Sequence, residues 1–233
     1  MLEISRRTFY ALVVMALLLT SIGGVLAYGY SSFGSIYPTS PPTGIRVFKV
    51  PYHGLNYTIF VESYISPFPV RDLNTTLQHR YSKITFVVGS PYFKDCKEGN
   101  VCVWRMRTSI ELGAMLGALA AQYYYEDLIN RGISPQRAKD MAAREAPKLI
   151  ETKYLTFMTK VQIGLGRVGN ENDLLVLLRG PEEGGSVNRI YVPRKGVVVL
   201  EASTEENLFV EVLLLKTIVA SPVGNITEKK SSS

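Results

Sequence analysis

The sequence predicts a single mixed α/β domain behind an N-terminal transmembrane helix, with a mixed or antiparallel sheet, two or three central helices and a C-terminal helix. Three observations lead to this prediction. An uncharged apolar run covers residues 9–30, β-rich runs lie on both sides of a central helical region, and an apolar helical pattern closes the domain. The 233-residue chain is 46% hydrophobic and 20% charged, which is typical of a globular protein.

The apolar run has the length of a membrane-spanning helix, because ~20 residues cross the hydrocarbon core. Arg6 and Arg7 precede the run, and no lysine or arginine follows it until Arg46. By the positive-inside rule, residues 1–8 are expected in the cytoplasm and everything after the run outside it. The sequence therefore predicts a single-pass protein of the cell membrane with an extracytoplasmic, cell-surface domain.

Removal of this run as a signal peptide is the alternative, and it would give a secreted protein. Small residues at Ala27 and Gly29 stand where a signal peptidase could cut. The run is longer than a signal-peptide core of about 7 to 15 residues, which favours a retained anchor.

Three regions are expected after the anchor. Residues 31–44 are rich in Ser, Pro and Gly and predict an extended stalk between the membrane and the domain. The folded domain is expected over residues 45–222, and the polar residues 223–233 are expected to form a disordered tail. The formal net charge of +6 is partly terminal, and no basic stripe interleaved with aromatic residues indicates nucleic-acid binding.

The domain begins with a predicted β-hairpin, in which the runs IRVFKV and NYTIFVESYI flank the turn PYHGL. A proline-containing loop separates the hairpin from KITFVVG, an apolar run typical of a central strand buried on both faces. The segment VCVWRMR is then expected to pair back as a strand across the turn KEGN.

A central helix is predicted between Thr108 and Gly132. Thr108 and Glu111 form a capping-box pattern at its start, and Gly132 fits the position after its last turn. Small residues four apart form one smooth face of this helix, namely Gly113, Gly117 and Ala121. The uncharged part is shorter than a membrane span, so we expect a buried core helix with its smooth face against a sheet or a second helix.

Two more helical segments are predicted before the next strands. Ser134 and Pro135 supply a cap and a first-turn proline for a helix that ends near Ala146. Beyond Pro147, apolar residues at helical spacing predict a third helix or a kinked continuation over about residues 149–158.

Gly164, Gly166 and Gly169 have the spacing G-x-G-x-x-G of dinucleotide-binding loops. Such a site needs a strand before the first glycine and a helix that starts at the last. KVQIG is expected to supply a strand, but NEND and the strand-like LLVLLRG follow, so no helix is predicted to meet a pyrophosphate. The glycines are therefore predicted to close a β-hairpin, and no dinucleotide or other cofactor is expected.

The C-terminal third is predicted to consist of strands and one helix. DLLVLLRG, VNRIYV and VVVLEAS are strand-like, with a PRKG turn between the last two. Ser203 and Glu206 fit a second capping box, and the apolar helix that follows them is too short to span a membrane.

Two kinds of feature agree with an extracytoplasmic location. Acceptors for N-glycosylation are expected in three sequons, at Asn56, Asn74 and Asn225. Cys96 and Cys102 are the two cysteines of the chain, and an oxidising compartment is expected to join them in a disulfide that closes the KEGN turn.

Candidate chemistry is sparse. No common catalytic motif is present, and His53 and His79 fall in a predicted turn and loop, so neither a general base nor a metal site is expected. The runs TFVVGSPYF and VLLRGPEEGG end alike, and if their strands run parallel, both loops lie at the edge where α/β sheets bind ligands. The residues of this candidate ligand edge are Ser90, Arg179, Glu182 and Glu183. The alternative is that Gly and Pro only end the strands.

These observations favour a membrane-anchored extracytoplasmic domain that acts by binding or assembly without catalysis. A protein partner or a homo-oligomer would follow from that function. Two alternatives remain open at this level: an accessory subunit of a membrane protein complex, and an exported enzyme whose site is assembled from scattered residues.

Overall fold

A computed structural model of the protein describes Met15 and residues 24–29, 44–63, 70–89 and 100–220. The helices in this part of the chain are α1 (residues 24–29), α2 (Val70–Gln78), α3 (Asn100–Asn130), α4 (Pro135–Glu145), α5 (Phe157–Gly164) and α6 (Glu205–Ala220). The strands are β1 (Gly44–Tyr52), β2 (Leu55–Ser63), β3 (Lys83–Val88), β4 (Ile150–Tyr154), β5 (Asp173–Arg179), β6 (Arg189–Arg194) and β7 (Val197–Glu201).

The main sheet has five strands in the order β4-β3-β5-β7-β6. Strands β4, β3, β5 and β7 are parallel, and β6 pairs antiparallel with β7. This confirms the predicted mixed α/β domain with a mixed sheet. The apolar runs of β3, β5 and β7 form its centre because they are buried on both faces, as continuous apolar strands of parallel sheets usually are.

Helices cover the sheet on both faces. On one face, α2, α3 and α6 pack on alternate strand residues such as Ile84, Val176 and Leu200. On the other face, Ile163 of α5 and the following loop pack on residues such as Leu177. Because successive strand residues point to opposite faces, each apolar strand contributes to both cores.

The predicted N-terminal hairpin is confirmed, and it forms a separate two-stranded sheet. His53 and Gly54 make its turn with positive φ angles of 47° and 79°, the backbone that tight two-residue hairpin turns require. The hairpin packs on α6, where the rings of Tyr52 and Tyr57 lie 5.3 and 6.0 Å from the ring of Phe209.

The start of the central helix was predicted wrongly. The segment VCVWRMR is the beginning of α3 and not a strand, so the helix starts at Asn100 and not at Thr108. Thr108 is buried inside the helix, and its hydroxyl donates a hydrogen bond of 2.8 Å to the carbonyl of Trp104. The predicted end is confirmed, because Gly132 has a φ of 79° and its amide donates to the Ile129 carbonyl.

The segment after the second helix also differs from the prediction. The helix from Pro135 is confirmed as α4, but residues 149–158 do not form a third helix. Instead β4 pairs with β3 at the edge of the sheet, and α5 begins at Phe157. The prediction also omitted α2, which lies in the segment that we expected to be a loop.

The glycine-rich loop ends a helix and does not close a hairpin. KVQIG belongs to α5, and the Gly166 and Arg167 amides donate to the carbonyls of Ile163 and Gln162 as in a glycine-terminated helix. Gly169 has a φ of 69°, and a Cβ there would lie 2.6 Å from Val197 Cγ2, so a side chain does not fit. Strand β5 follows this loop, and no helix starts at Gly169.

The C-terminal strands and helix are confirmed, with the cap of α6 shifted by one residue. The hydroxyl of Thr204, and not that of Ser203, accepts a hydrogen bond of 3.1 Å from the Asn207 amide. Leu208, Phe209 and Val212 of α6 are almost fully buried in the core.

Several predicted regions lie outside the described residues. They include most of the predicted span 9–30, nearly all of the stalk 31–44 and the tail 223–233. Within the part of the chain that the structure describes, no helix has both the length and the apolar composition that a membrane crossing requires.

Candidate functional site

The candidate ligand edge lies where β3 and β5 end side by side. These strands are parallel neighbours, so the glycines that follow them, Gly89 and Gly180, lie at the same edge of the sheet. The side chain of Glu183 reaches across the edge to Gly89, where any Cβ would overlap its carboxylate. Its Oε2 accepts a hydrogen bond of 3.0 Å from the Gly180 amide. Ser90 lies outside the described residues.

A set of charged side chains gathers at this edge, and we call it the carboxylate cluster: Glu182, Glu183, Glu205 and Arg105. Arg105 comes from α3 and contacts the carboxylate of Glu182 and, at 3.0 Å, that of Glu205. A Cβ on Gly180 would lie 3.1 Å from Glu183 Oε2 and 3.2 Å from Glu205 Oε1. Two carboxylates therefore meet above one glycine, with one guanidinium beside them.

The buried carboxyls of this cluster hold their protons more strongly than exposed ones. Burial raises the pKa of Glu183, and the charge of Glu182 raises it further. Burial also raises the pKa of Glu205, although the hydrogen bond from Arg105 lowers it in part. Carboxyls with raised pKa values keep a proton that they can transfer to a bound molecule at a higher pH than an exposed glutamate does.

Arg179 is at the predicted edge but points into the protein. Its Nε donates to the carbonyl of Glu183 at 3.2 Å, and its Nη1 lies 3.2 Å from Oε1 of Glu201. Arg189 contacts the other oxygen of Glu201, with Nε at 2.7 Å. Glu201 is fully buried, so Arg179 helps to neutralise an internal charge and is not free to bind a ligand.

Glu211 of α6 lies close to this ion group. It is fully buried, and neither carboxylate oxygen has a hydrogen-bond partner. Burial raises its pKa well above the usual range, the nearby backbone amide and charge of Arg189 lower it in part, and the charge of Glu201 raises it. Glu211 therefore keeps its proton to a higher pH in the folded protein than an exposed glutamate does.

The other predicted site residues are dispersed. Asn56 is exposed at the beginning of β2, Asn74 lies within α2, and Asn225 is outside the described residues. Across the described ranges, no group of three or more His, Cys, Asp or Glu residues is arranged to hold a metal ion. Glycosylation at these asparagines stays a prediction.

Cys102 lies in the first turn of α3 and is disulfide-bonded. Cys96 is outside the described residues, so the bridge between the two cysteines stays a prediction. We expect alkylation of the native protein to modify neither thiol, and alkylation after reduction to modify both. Because the loop is short, the bridge should stabilise the protein by about 2 to 3 kcal/mol at most. Intact mass spectrometry measures the number of alkylated thiols. Alkylation of both thiols without reduction would contradict the bridge.

Sequence reasoning missed an exposed apolar surface on α3. Along one side of this helix, Val103, Met106 and Ile110 are 41%, 48% and 61% exposed. Gly113 and Gly117 continue the same side at helical spacing, and a Cβ on either would have no described atom within 4 Å. Gly113 and Gly117 therefore face outward, which contradicts the prediction for this side of the helix, whereas Ala121 is partly buried against the core as expected. We call this surface, from Val103 to Gly117, the outer face of α3.

Comparison of the chain with family models, with curated proteins and with solved structures gave no match. The function is therefore inferred from the residues and their geometry.

Proposed function

We propose that the chain is a membrane-anchored extracytoplasmic protein whose domain acts by binding or assembly at the cell surface, without catalysis. Residues 9–30 would be the anchor, and the outer face of α3 would be the contact surface. The exposure of Ile110 and its neighbours on α3 is the observation that carries the proposal, because contiguous exposed apolar surface marks interaction sites in soluble domains.

The shape of the outer face favours a helical partner. It extends over roughly 21 Å at 1.5 Å per residue. The glycines at positions 113 and 117 leave a shallow groove toward its C-terminal end, and small residues at such spacing let two helix backbones approach closely. Larger apolar side chains at Met106 and Ile110 would then fill the space at one end of the contact.

The charge distribution supports the same function. The exposed positions of α3 from Ile110 to Ala121 carry no charge. Arg107 borders the face near one end, where its guanidinium stacks 5.0 Å above the ring of Trp104. A surface with an apolar middle and a cation at its border resembles the composition of protein interfaces more than that of a solvated helix side.

Ile110→Glu in the full chain is expected to remove the associated protein. Burial of an isoleucine in an interface contributes about 1.5 to 3 kcal/mol, and a buried carboxylate would oppose association further, so affinity should fall at least about tenfold. The measurement is affinity purification from native membranes, followed by native mass and identification of the proteins that travel with the chain.

Leu55→Glu is the matched control, because Leu55 is also 61% exposed but lies on the hairpin. It should keep the partner that Ile110→Glu loses. A second copy of the chain would indicate a homo-oligomer, and a different protein would indicate an accessory subunit. A wild-type chain that purifies alone, or equal behaviour of the two variants, would contradict the proposal.

The alternative of an exported enzyme has weaker support. Its site would have to be the carboxylate cluster, where the raised pKa values of Glu183 and Glu205 suit proton transfer. However, Arg105 engages Glu182 and Glu205, and the Gly180 amide engages Glu183. These contacts within the protein are typical of a turn that is held in place for structural reasons. Binding or assembly is therefore the better-supported function.

A further inference from the structure

The outer face of α3 carries large side chains at one end and small ones at the other. Val103, Met106 and Ile110 form an exposed apolar ridge at its N-terminal end. The next two turns present only small residues on this side of the helix, namely Gly113, Ala114, Gly117 and, directly after them, Ala118. A ridge and a groove therefore follow each other along a single helix.

This surface is complementary to its own reverse. If a second copy of α3 lies antiparallel, with a twofold axis near Ala114, Ile110 of each copy faces Gly117 and Ala118 of the other. The large side chain then fills the space above the glycine, and the twofold axis forms the same contact twice. Because helices with glycine or alanine at a contact approach closely, Ile110 can bury the surface that it exposes in the single chain.

A parallel arrangement fits the same surface less well. It would place Met106 and Ile110 against the same residues of the second copy, which holds the helices apart where the glycines leave space. It would also bring together the two Arg107 side chains, which are exposed at the border of the face. Antiparallel pairing about position 114 separates them by roughly 21 Å along the helices, well beyond the Debye length of about 8 Å.

The absence of charge on the groove favours a second copy as the partner. A charge buried against this groove would lose its solvation without gaining a counter-ion, so the partner must present an uncharged surface. The exposed positions of α3 from Ile110 to Ala121 meet that requirement. Glu111 is the charged residue of this stretch, and it is turned away from the face, with hydrogen bonds of 2.8 Å from Tyr52 and 2.7 Å from Lys216.

We propose that the outer face of α3 binds a second copy of this chain as an antiparallel helix pair, with its twofold axis near Ala114. This proposal rests on the proposed function, since it uses the same contact surface, and it names the partner. Each copy supplies both the ridge and the groove, so the pair is closed and does not extend into a polymer through this face.

Ala114→Cys in the purified full chain tests the arrangement. Mild oxidation should give a covalent dimer on a non-reducing gel as the main product, because the twofold axis brings position 114 of the two copies within reach of a disulfide. Val103→Cys is the matched control. In the antiparallel pair its two copies are roughly 33 Å apart along the helices, so no link should form. The oxidised wild-type chain supplies the baseline for the native cysteines.

Gly117→Leu separates association from folding. Leucine fills the groove that receives Ile110, so the dissociation constant of the dimer in sedimentation experiments should rise at least about tenfold. No described atom lies within 4 Å of the added Cβ, and leucine is a better helix former than glycine, so the helix content by circular dichroism should not fall. Ala143→Leu, at an exposed position of α4, is the matched control and should leave the dissociation constant unchanged.

The outcomes separate failure of this pairing from failure of the proposed function. A dimer that is linked at position 114, is not linked at position 103 and is weakened by Gly117→Leu alone would support the pairing. A dimer that is linked at position 103, or at neither position, would overturn it, as would equal dissociation constants for Gly117→Leu and Ala143→Leu. A monomeric chain that retains a different protein, which Ile110→Glu loses, would overturn the second copy and leave the proposed function intact. A monomeric chain without any associated protein would overturn both.

Discussion

Glu201→Gln is expected to lower the free energy of unfolding by about 3 to 5 kcal/mol, the usual result of removing one partner from a buried ion group. Glu201 is fully buried between Arg179 and Arg189, and its Oε2 accepts a hydrogen bond of 2.7 Å from Arg189 Nε. A neutral amide would leave two guanidinium groups in the interior without their counter-ion. Urea unfolding of the full chain in detergent, followed by circular dichroism, measures the change.

Glu171→Gln is the control for this variant. Glu171 also pairs with a cation, Lys195, at 3.1 Å, but its side chain is 76% exposed. Exposed ion pairs contribute about 0 to 1 kcal/mol, so the same chemical change should have little effect there. If Glu201→Gln and Glu171→Gln had similar stability, the buried ion group would not contribute to folding as we infer.

Glu211→Leu is expected to stabilise the protein at neutral pH by about 1 to 3 kcal/mol, because it removes a buried polar group that has no hydrogen-bond partner. Leucine fills a similar volume in an apolar helix whose neighbours Leu208 and Leu215 are fully buried. For a domain of this size the gain corresponds to a rise of several degrees in Tm.

The pH dependence of stability gives a second readout for Glu211. Burial raises the pKa of this carboxyl in the folded state, so between its unfolded value of about 4.3 and its folded value the native protein binds more protons than the unfolded chain. Stability should therefore fall as pH rises through this window, and Glu211→Leu should remove that part of the slope. Comparing the stability–pH curves of the wild type and of Glu211→Leu separates the effect of Glu211 from the effects of Glu183 and Glu205. The raised pKa values of those two carboxyls change stability in the same direction.

Glu206→Leu controls for adding a leucine to α6, because Glu206 is exposed on the same helix. The free energy of unfolding of this variant should differ from that of the wild type by less than about 1 kcal/mol, which is the effect of one acidic residue near a helix N-terminus. Thermal unfolding of the full chain between pH 4 and 8 is the measurement. A Glu211→Leu variant less stable than wild type at neutral pH, with an unchanged pH slope, would show that the carboxylate is ionised and paired.

The sequence predicted the start of α3 wrongly because local signals pointed elsewhere. Val101 and Val103 alternate with other residues as in a strand, and Thr108 precedes Glu111 as in a capping box. Trp104 stands against Phe209 of α6, with ring centroids 5.4 Å apart, and against Tyr57 of the hairpin at 6.4 Å. These contacts join residues distant in the chain, so no local pattern could reveal them.

The strand β4 shows the same limit. Its five residues have an apolar spacing that also fits a helix, and they become a strand by pairing with β3 along the register Ile84 to Ile150. Short segments of this kind are decided by hydrogen bonds to a distant partner and not by propensity.

The candidate site was predicted in part. The similar ends of β3 and β5 indicated a common edge, and the parallel pairing of these strands brings Glu183 to Gly89. Arg105 and Glu205 were missed because they are 100 residues apart and meet only when α3 and α6 pack together. Arg179 was predicted to face a ligand, but its guanidinium instead pairs with the buried Glu201.

By itself the sequence determined the features that arise from continuous runs of similar residues: the uncharged run 9–30, the apolar strands β3, β5 and β7, the hairpin and the apolar helix α6. These follow from burial, which depends on residue type and local periodicity. Only the tertiary structure decided the order of the strands, the inward path of Arg179 and the outward direction of Gly113 and Gly117 on α3. The reason is that each depends on which distant element packs against the residue. An apolar or small residue has the same local sequence pattern whether its side of the helix is buried in a core or exposed to solvent.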